Sequence, residues 1–296
     1  KLFMESLVSS TFHPPQRILM GPGPSDVSPR VLSASARPTI GHLDPAFVGL
    51  MDDVKRLLQF AFQTQNELTI PLSAPGSAGM EAAFVNLLEP GDTAIVCQNG
   101  VFGGRMKENV ERCGATAVMV QDRWGDPVNP EKVSAAIQAN PHAKALAFVH
   151  AETSTGVRSD AEQLCRLAKS AGMLTIVDAV TSLAGIDLQV DAWGADVVYS
   201  GTQKCLSSLP GIAPITFSPD AVAAITSRTH KVQSWFLDLQ LVMGYWDGDS
   251  GRSYHHTAPV NALYALHESL LMLREETLAA AFARHRRNHL ALVAGL

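Results

Sequence analysis

The chain has 296 residues, of which 46% are hydrophobic and 17% charged, with a formal net charge of −5. This length allows one large core or two smaller ones, and the composition excludes a disordered tail. The mild acidity argues against a nucleic-acid partner, because the single basic block, Arg284-His285-Arg286-Arg287, falls in a helical pattern and reads as a solvated face.

No uninterrupted apolar run is long enough to span a bilayer, so no membrane partner is expected. The N-terminus lacks a basic start followed by a long apolar core, which argues against secretion. Cys97, Cys113, Cys165 and Cys205 are scattered, with no C-x-x-C pair. Zinc and disulfide frameworks are therefore not expected, and a reducing, cytoplasmic setting is. Both ends read as cut: the chain starts at Lys1 rather than Met, and its last amphipathic helix reaches Leu296 without a cap. A C-terminal peroxisomal address would lie beyond Leu296, so that compartment stays open.

In chain order, an N-terminal arm (1–20) through Pro14-Pro15 leads to the loop G-P-G-P-S-D, irregular by necessity. A helix is predicted from Asp44 to Phe62. Seven apolar runs follow, at Leu68–Leu72, Ala94–Cys97, Ala117–Val120, Ala145–Val149, Leu174–Val177, Val197–Tyr199 and Ile212–Phe217, several rich in Val and Ile and bounded by Gly, Pro, Asp or Asn. Helical periodicity lies between them at Gly79–Leu88, Lys132–Ala139 and Glu162–Ala171. Asn129-Pro130 caps the second of these helices and Asp160 the third. The alternation predicts an α/β fold: a mostly parallel seven-stranded sheet with helices on both faces, in a large domain over 21–258. After Arg228 an aromatic, Gly-rich stretch precedes two amphipathic helices, Pro259–Glu275 and Thr277–Val293, which form a terminal unit over 259–296.

Lys204 is the most telling residue. It follows the strand V-V-Y in V-V-Y-S-G-T-Q-K, while Asp178 closes the strand L-T-I-V-D. A lysine amine at a strand end can form a Schiff base with an aldehyde, and a carboxylate on a neighbouring strand can hold a protonated pyridine nitrogen. Pyridoxal 5′-phosphate needs both from a protein. In open α/β sheets ligands bind at the carboxyl ends of the strands, and the other candidates fall there. S-A-P-G-S-A-G-M-E joins a strand to a helix and makes a phosphate cradle on Gly76 and Ser77; it matches neither the dinucleotide nor the triphosphate fingerprint. Phe102, between glycines at a helix start, is either a core residue or a ring that stacks on the flat pyridine. Thr153, in H-A-E-T-S-T-G, can bond the cofactor ring, whereas Glu152 and Ser154 can simply tie the loop. Gln203 and Thr202 flank the lysine, and Y-H-H-T (Tyr254–Thr257) can complete a phosphate site. His255 and His256, without carboxylate or cysteine neighbours, make a poor metal pair, so no metal is expected.

These motifs, with G-P-G-P-S at 21–25, E-P-G-D at 89–92 and V-D-A-V-T-S-L at 177–183, resemble the class V (fold-type I) aminotransferases, specifically the alanine–glyoxylate/serine–pyruvate group, from about Arg17 to Leu296. The resemblance implies Lys204 as the cofactor-bearing lysine and Asp178 as the partner of the pyridine nitrogen. It implies Phe102 stacked on the ring where many relatives carry tryptophan, Thr153 against the ring, and Gly76, Ser77 and Gln203 on the phosphate. Tyr254 and Thr257 would reach the phosphate of a neighbouring subunit in a homodimer. It further implies a C-terminal domain of about a hundred residues that carries an arginine for the substrate carboxylate. That arginine has no counterpart in these residues. The expected activity moves an amino group from alanine or serine to glyoxylate or pyruvate. The alternatives are pyridoxamine–pyruvate or ureidoglycine–glyoxylate transfer, sulfur removal from cysteine (for which Cys205, beside the lysine, is poorly placed), or a non-catalytic binding protein on the same scaffold.

Overall fold

The computed structural model describes residues 10–246 and 252–296. The first nine residues of the predicted arm and the D-G-D-S-G part of the aromatic stretch lie outside the described residues. In chain order the elements are α1 (Pro29–Ser35), α2 (Pro45–Phe62), β1 (Leu68–Leu72), α3 (Gly76–Leu87), β2 (Thr93–Gln98), α4 (Val101–Arg112), β3 (Thr116–Gln121), α5 (Pro130–Ala139) and β4 (Ala145–Val149). These are followed by β5 (Ala151–Glu152), β6 (Val157–Arg158), α6 (Ala161–Ser170), β7 (Leu174–Asp178), α7 (Val190–Trp193), β8 (Val197–Tyr199), β9 (Ala213–Phe217), α8 (Pro219–Thr226), α9 (Leu239–Trp246), α10 (Val260–Glu276) and α11 (Leu278–Gly295).

All seven apolar runs become strands of one sheet, in the order β1-β9-β8-β7-β4-β2-β3. Only β9 runs against its neighbours; it pairs antiparallel with β1 and with β8. The expected mostly parallel sheet is therefore observed. The interior strand β4, A-L-A-F-V, is buried at every position, because helices cover both faces. One face carries α3, α4 and α8, and the other α5, α6 and α7. Strand β1 tolerates Pro71 because it is an edge strand, and Pro71 faces Pro214 of β9, a pairing that needs no N–H from either residue.

The caps behave as the sequence predicts. The Asn129 side chain accepts from the Glu131 and Lys132 amides, and the Asp160 side chain accepts from Gln163 N. Helix α3 starts at Gly76, three residues before the predicted Gly79, since small residues of low helix propensity disguise its first turn. Short helices α1, α8 and α9 were not anticipated. Each is brief enough that tertiary contact rather than local pattern forms it. Helix α1, for example, is held on α10 by Arg30, which grips Glu275 through two hydrogen bonds of 2.6 and 2.7 Å and also pairs with Glu268.

Phe148 of β4 is fully buried. Phe148→Ala is expected to cost about 3–5 kcal/mol, read as a lower urea midpoint with an unchanged slope. A loss below about 1 kcal/mol would contradict the buried, close-packed setting given to this strand.

Candidate active site

The carboxyl ends of five parallel strands converge at one edge of the sheet. Strand register lines up three of them: Val149 of β4 pairs with Asp178 of β7, which pairs with Tyr199 of β8. The loops continue the alignment. His150 N donates to Asp178 O at 3.0 Å, and Ala179 N donates to Tyr199 O at 2.9 Å. The chain thus delivers Asp178 and, five residues past Tyr199, Lys204 to a common edge.

Asp178 is 3% exposed. Its Oδ1 accepts from Val180 N at 2.9 Å and its Oδ2 accepts from the Tyr199 hydroxyl at 2.9 Å. Burial pushes its carboxyl from 3.8 up to about 6, while those two hydrogen bonds, and more weakly the Lys204 charge, pull it back. Sequence reasoning gave Tyr199 no role, yet it is fully buried and its only polar group serves Asp178. An aromatic closing the strand beside an aspartate-terminated one was the available signal.

Lys204 is half-buried, and its Nζ donates to Pro22 O at 2.9 Å. The G-P-G-P-S loop therefore serves as the amine's resting partner. Gly23 lies alongside with φ +126, and a Cβ there would come within 2.6 Å of Lys204 Cδ, so only glycine fits. Ser25 N donates to Gln203 O at 3.3 Å, tying this loop to the lysine turn. Ser25 Oγ and Gln203 Oε1 are buried without a partner. Buried polar atoms are ordinarily satisfied, so these two are open to a further polar partner.

The Ser73–Ser77 turn packs directly on these loops. A Cβ on Gly76 would sit 3.4 Å from Ser200 O and 3.5 Å from the Val180 side chain. Pro75 caps α3 without any side-chain hydrogen bond, and while the Ala78 amide donates to Pro75 O at 2.8 Å, the Gly76 and Ser77 amides are left to receive an anion. On the other flank, Glu152 is 1% exposed and accepts from Phe102 N at 3.2 Å, from Ser154 N at 3.0 Å and from Ser154 Oγ at 2.7 Å. Ser154 Oγ in turn accepts from Val101 N at 3.0 Å. Glu152 and Ser154 thus cap α4 and tie the β5–β6 hairpin, carrying Thr153, to the turn that carries Phe102. The Phe102 ring is half-buried, with the Arg105 guanidinium 4.7 Å from its centroid. Thr153 Oγ1 donates to Thr181 Oγ1 at 3.4 Å.

Tyr254 and Thr257 stand apart from this group. Both are exposed, Tyr254 at 66%, and the Tyr254 ring lies 5.4 Å from that of His42. Cys205 is half-buried rather than fully enclosed, its thiol raised by burial and donating to Thr181 O at 3.5 Å. A cleft of about 690 Å³ opens beside the site, between Arg158, Thr181, Cys205, His285 and His289. It does not include Lys204 or Asp178. No group of three or more metal-ligating side chains occurs among the described residues.

A parallel sheet with a buried aspartate and a lysine at neighbouring strand ends defines the type I fold of pyridoxal-phosphate-dependent transferases. The family model for class V aminotransferases matches residues 31–296, and the chain belongs to that family. It is 41% identical over 274 residues to the alanine–glyoxylate aminotransferase of Oryctolagus cuniculus, covering 92% of this chain and 69% of the relative. A (S)-ureidoglycine–glyoxylate transaminase of Bacillus subtilis is 35% identical over 300 residues, covering 95% of this chain and 71% of the relative. The crystal structure of an alanine–glyoxylate aminotransferase from Nostoc sp. superposes with a TM-score of 0.94 at 42% identity, covering 97% of this chain and 76% of that one. The chain spans about two thirds of such relatives, 66% in the case of the enzyme from Rattus norvegicus.

The raised Asp178 carboxyl has a consequence for stability. Folding lifts this group from 3.8 to about 6, so its contribution is fully present below the lower value, falls as pH rises between the two, and is flat above. His150, pushed down to about 4 by burial, runs the opposite way and loses stability as pH falls. The difference between wild type and Asp178→Asn isolates the aspartate. The cofactor-free variant is expected to be more stable than wild type at pH 7 by roughly 1–3 kcal/mol and nearly equal to it at pH 4, in urea unfolding. A variant less stable at pH 7 would mean the ionised carboxylate is well solvated.

Proposed function

We propose that this chain binds pyridoxal 5′-phosphate and transfers an amino group from alanine or serine to glyoxylate or pyruvate. The observation that carries this reading is the Asp178–Lys204 pair on adjacent strand ends: among the described residues the buried carboxylate pairs with no cation, and the amine is held only by a backbone carbonyl. The surrounding residues fit the cofactor. The free amides of Gly76 and Ser77 suit its phosphate, the partnerless Gln203 Oε1 and Ser25 Oγ suit polar groups nearby, and the Phe102 face suits a flat ring.

When bound, the cofactor supplies an aldehyde for the amine and a ring that withdraws electrons. The rest is the work of this chain. Asp178, its Oδ2 fixed by Tyr199, favours a proton on the ring nitrogen by its charge. That cationic partner also offsets the desolvation that raises its carboxyl. Lys204 Nζ would be the base that takes the proton from the substrate Cα–H and holds it for return. The Pro22 carbonyl gives the amine a place to rest, and Gly23 leaves room for its side chain. Tyr254 and Thr257, both exposed, are suited to reach the phosphate site of a second copy in a homodimer.

A second reading is ureidoglycine–glyoxylate transfer, favoured by the Bacillus subtilis relative. Both readings use glyoxylate, so a panel of amino donors tested with glyoxylate separates them. Lys204→Ala is expected to abolish the visible absorbance that develops when the protein is given pyridoxal 5′-phosphate, and to lower transamination at least about 10³-fold. Survival of both the band and the turnover would refute the assignment.

A further inference from the structure

The strap Arg252–Pro259 crosses the start of the phosphate turn and is fixed there by two imidazoles. His256 Nε2 lies 2.7 Å from Ser73 Oγ, and His256 Nδ1 lies 2.8 Å from His255 Nδ1. His255 is 5% exposed and stacks on Trp235 with centroids 4.4 Å apart and planes 13° apart. The His256 ring is gripped edge-on by Phe236 and Tyr245, each 5.3 Å away. Among the described residues this contact with His256 is the sole side-chain hydrogen bond made by any residue of the Ser73–Ser77 turn, because Pro75 provides no cap and the Ser77 hydroxyl has no protein partner. A turn that must hold backbone amides toward an anion is thus tied from outside rather than by its own side chains.

Tautomer accounting sharpens this. A contact between two Nδ1 atoms requires one donor and one acceptor, so at most one of the two carries a proton. His256 is pushed down to about 4, first by burial and then by His255 and His42, which keeps it neutral at ordinary pH. If His255 Nδ1–H donates, His256 holds its proton on Nε2 and donates to Ser73 Oγ. The Ser73 hydroxyl proton is then free to point elsewhere, toward the anion side of the turn. The opposite tautomer would spend the hydroxyl proton on His256 and turn an oxygen lone pair toward the anion. Only the first arrangement suits a phosphate neighbour.

We propose that His256, held by His255, is a positioning residue for the cofactor phosphate, acting through Ser73 to fix the turn that presents the Gly76 and Ser77 amides. This rests on the reading of that turn as the phosphate cradle. The test is binding of two probes, pyridoxal 5′-phosphate and phosphate-free pyridoxal, measured by absorbance titration. His256→Phe fills the same aromatic space without a hydrogen bond, and Ser73→Ala removes the other partner. Each is expected to weaken binding of the phosphorylated probe roughly 3- to 10-fold and leave pyridoxal unchanged. The double variant should be no weaker than either single one. His256→Gln, which retains a side-chain N–H donor, should recover part of the loss. Equal losses for both probes would mean a general structural role, and no loss for either would mean an idle contact; both overturn the proposal. If wild type itself binds both probes equally, the cradle reading fails and this inference with it. Normal discrimination by wild type and by His256→Phe alike sinks the inference alone.

Discussion

The structure depends on a carboxylate kept where water cannot reach it. Asp178 lies at the end of a strand buried on both faces, and two hydrogen bonds hold its oxygens in place. Such a group is unfavourable on its own, as the upward displacement of its carboxyl indicates. The scaffold sustains it because the sheet around it is close-packed and Tyr199 occupies the adjacent register position. A cation placed beside it would gain more there than in water, since the low local dielectric strengthens attraction as much as it penalises isolation. The site is therefore preorganised by a locally unfavourable feature that a ligand would relieve.

The second organising feature is the way loops from separate strands are tied to one another rather than to themselves. Glu152 caps a helix that belongs to another strand–helix unit, and Pro22 receives the amine of a lysine far along the chain. Ser200 Oγ donates to Ala179 O, linking the loops after β7 and β8. Each tie joins segments distant in sequence, so the geometry of the edge depends on the whole sheet being formed.

This explains what the sequence made legible. The seven strands stood out because each is a short apolar run ended by a turn residue, and burial on both faces is what such runs encode. Caps at Asn129 and Asp160 were readable because capping is local. That Lys204 and Asp178 meet at one edge was readable because strand ends in parallel sheets converge, so position along a strand stands in for position in space. The contacts made by Tyr199, His256 and Pro22 were not readable, because they depend on register and on a strap returning across the sheet. Helices α1, α8 and α9 escaped for the same reason: their stability comes from what they touch.

Gly100 illustrates how such ties shape what the chain can become. A Cβ there would come within 2.3 Å of the Glu152 side chain, so the backbone at that corner is jammed against a capped helix start. The next residues but one cannot drift, because the Phe102 amide is itself anchored to that same carboxylate. The ring at 102 is free of this restraint. Evolution can therefore exchange one aromatic for a broader one at that spot as a tool is changed in a fixed holder, adjusting coverage of whatever lies beneath while the mount stays still.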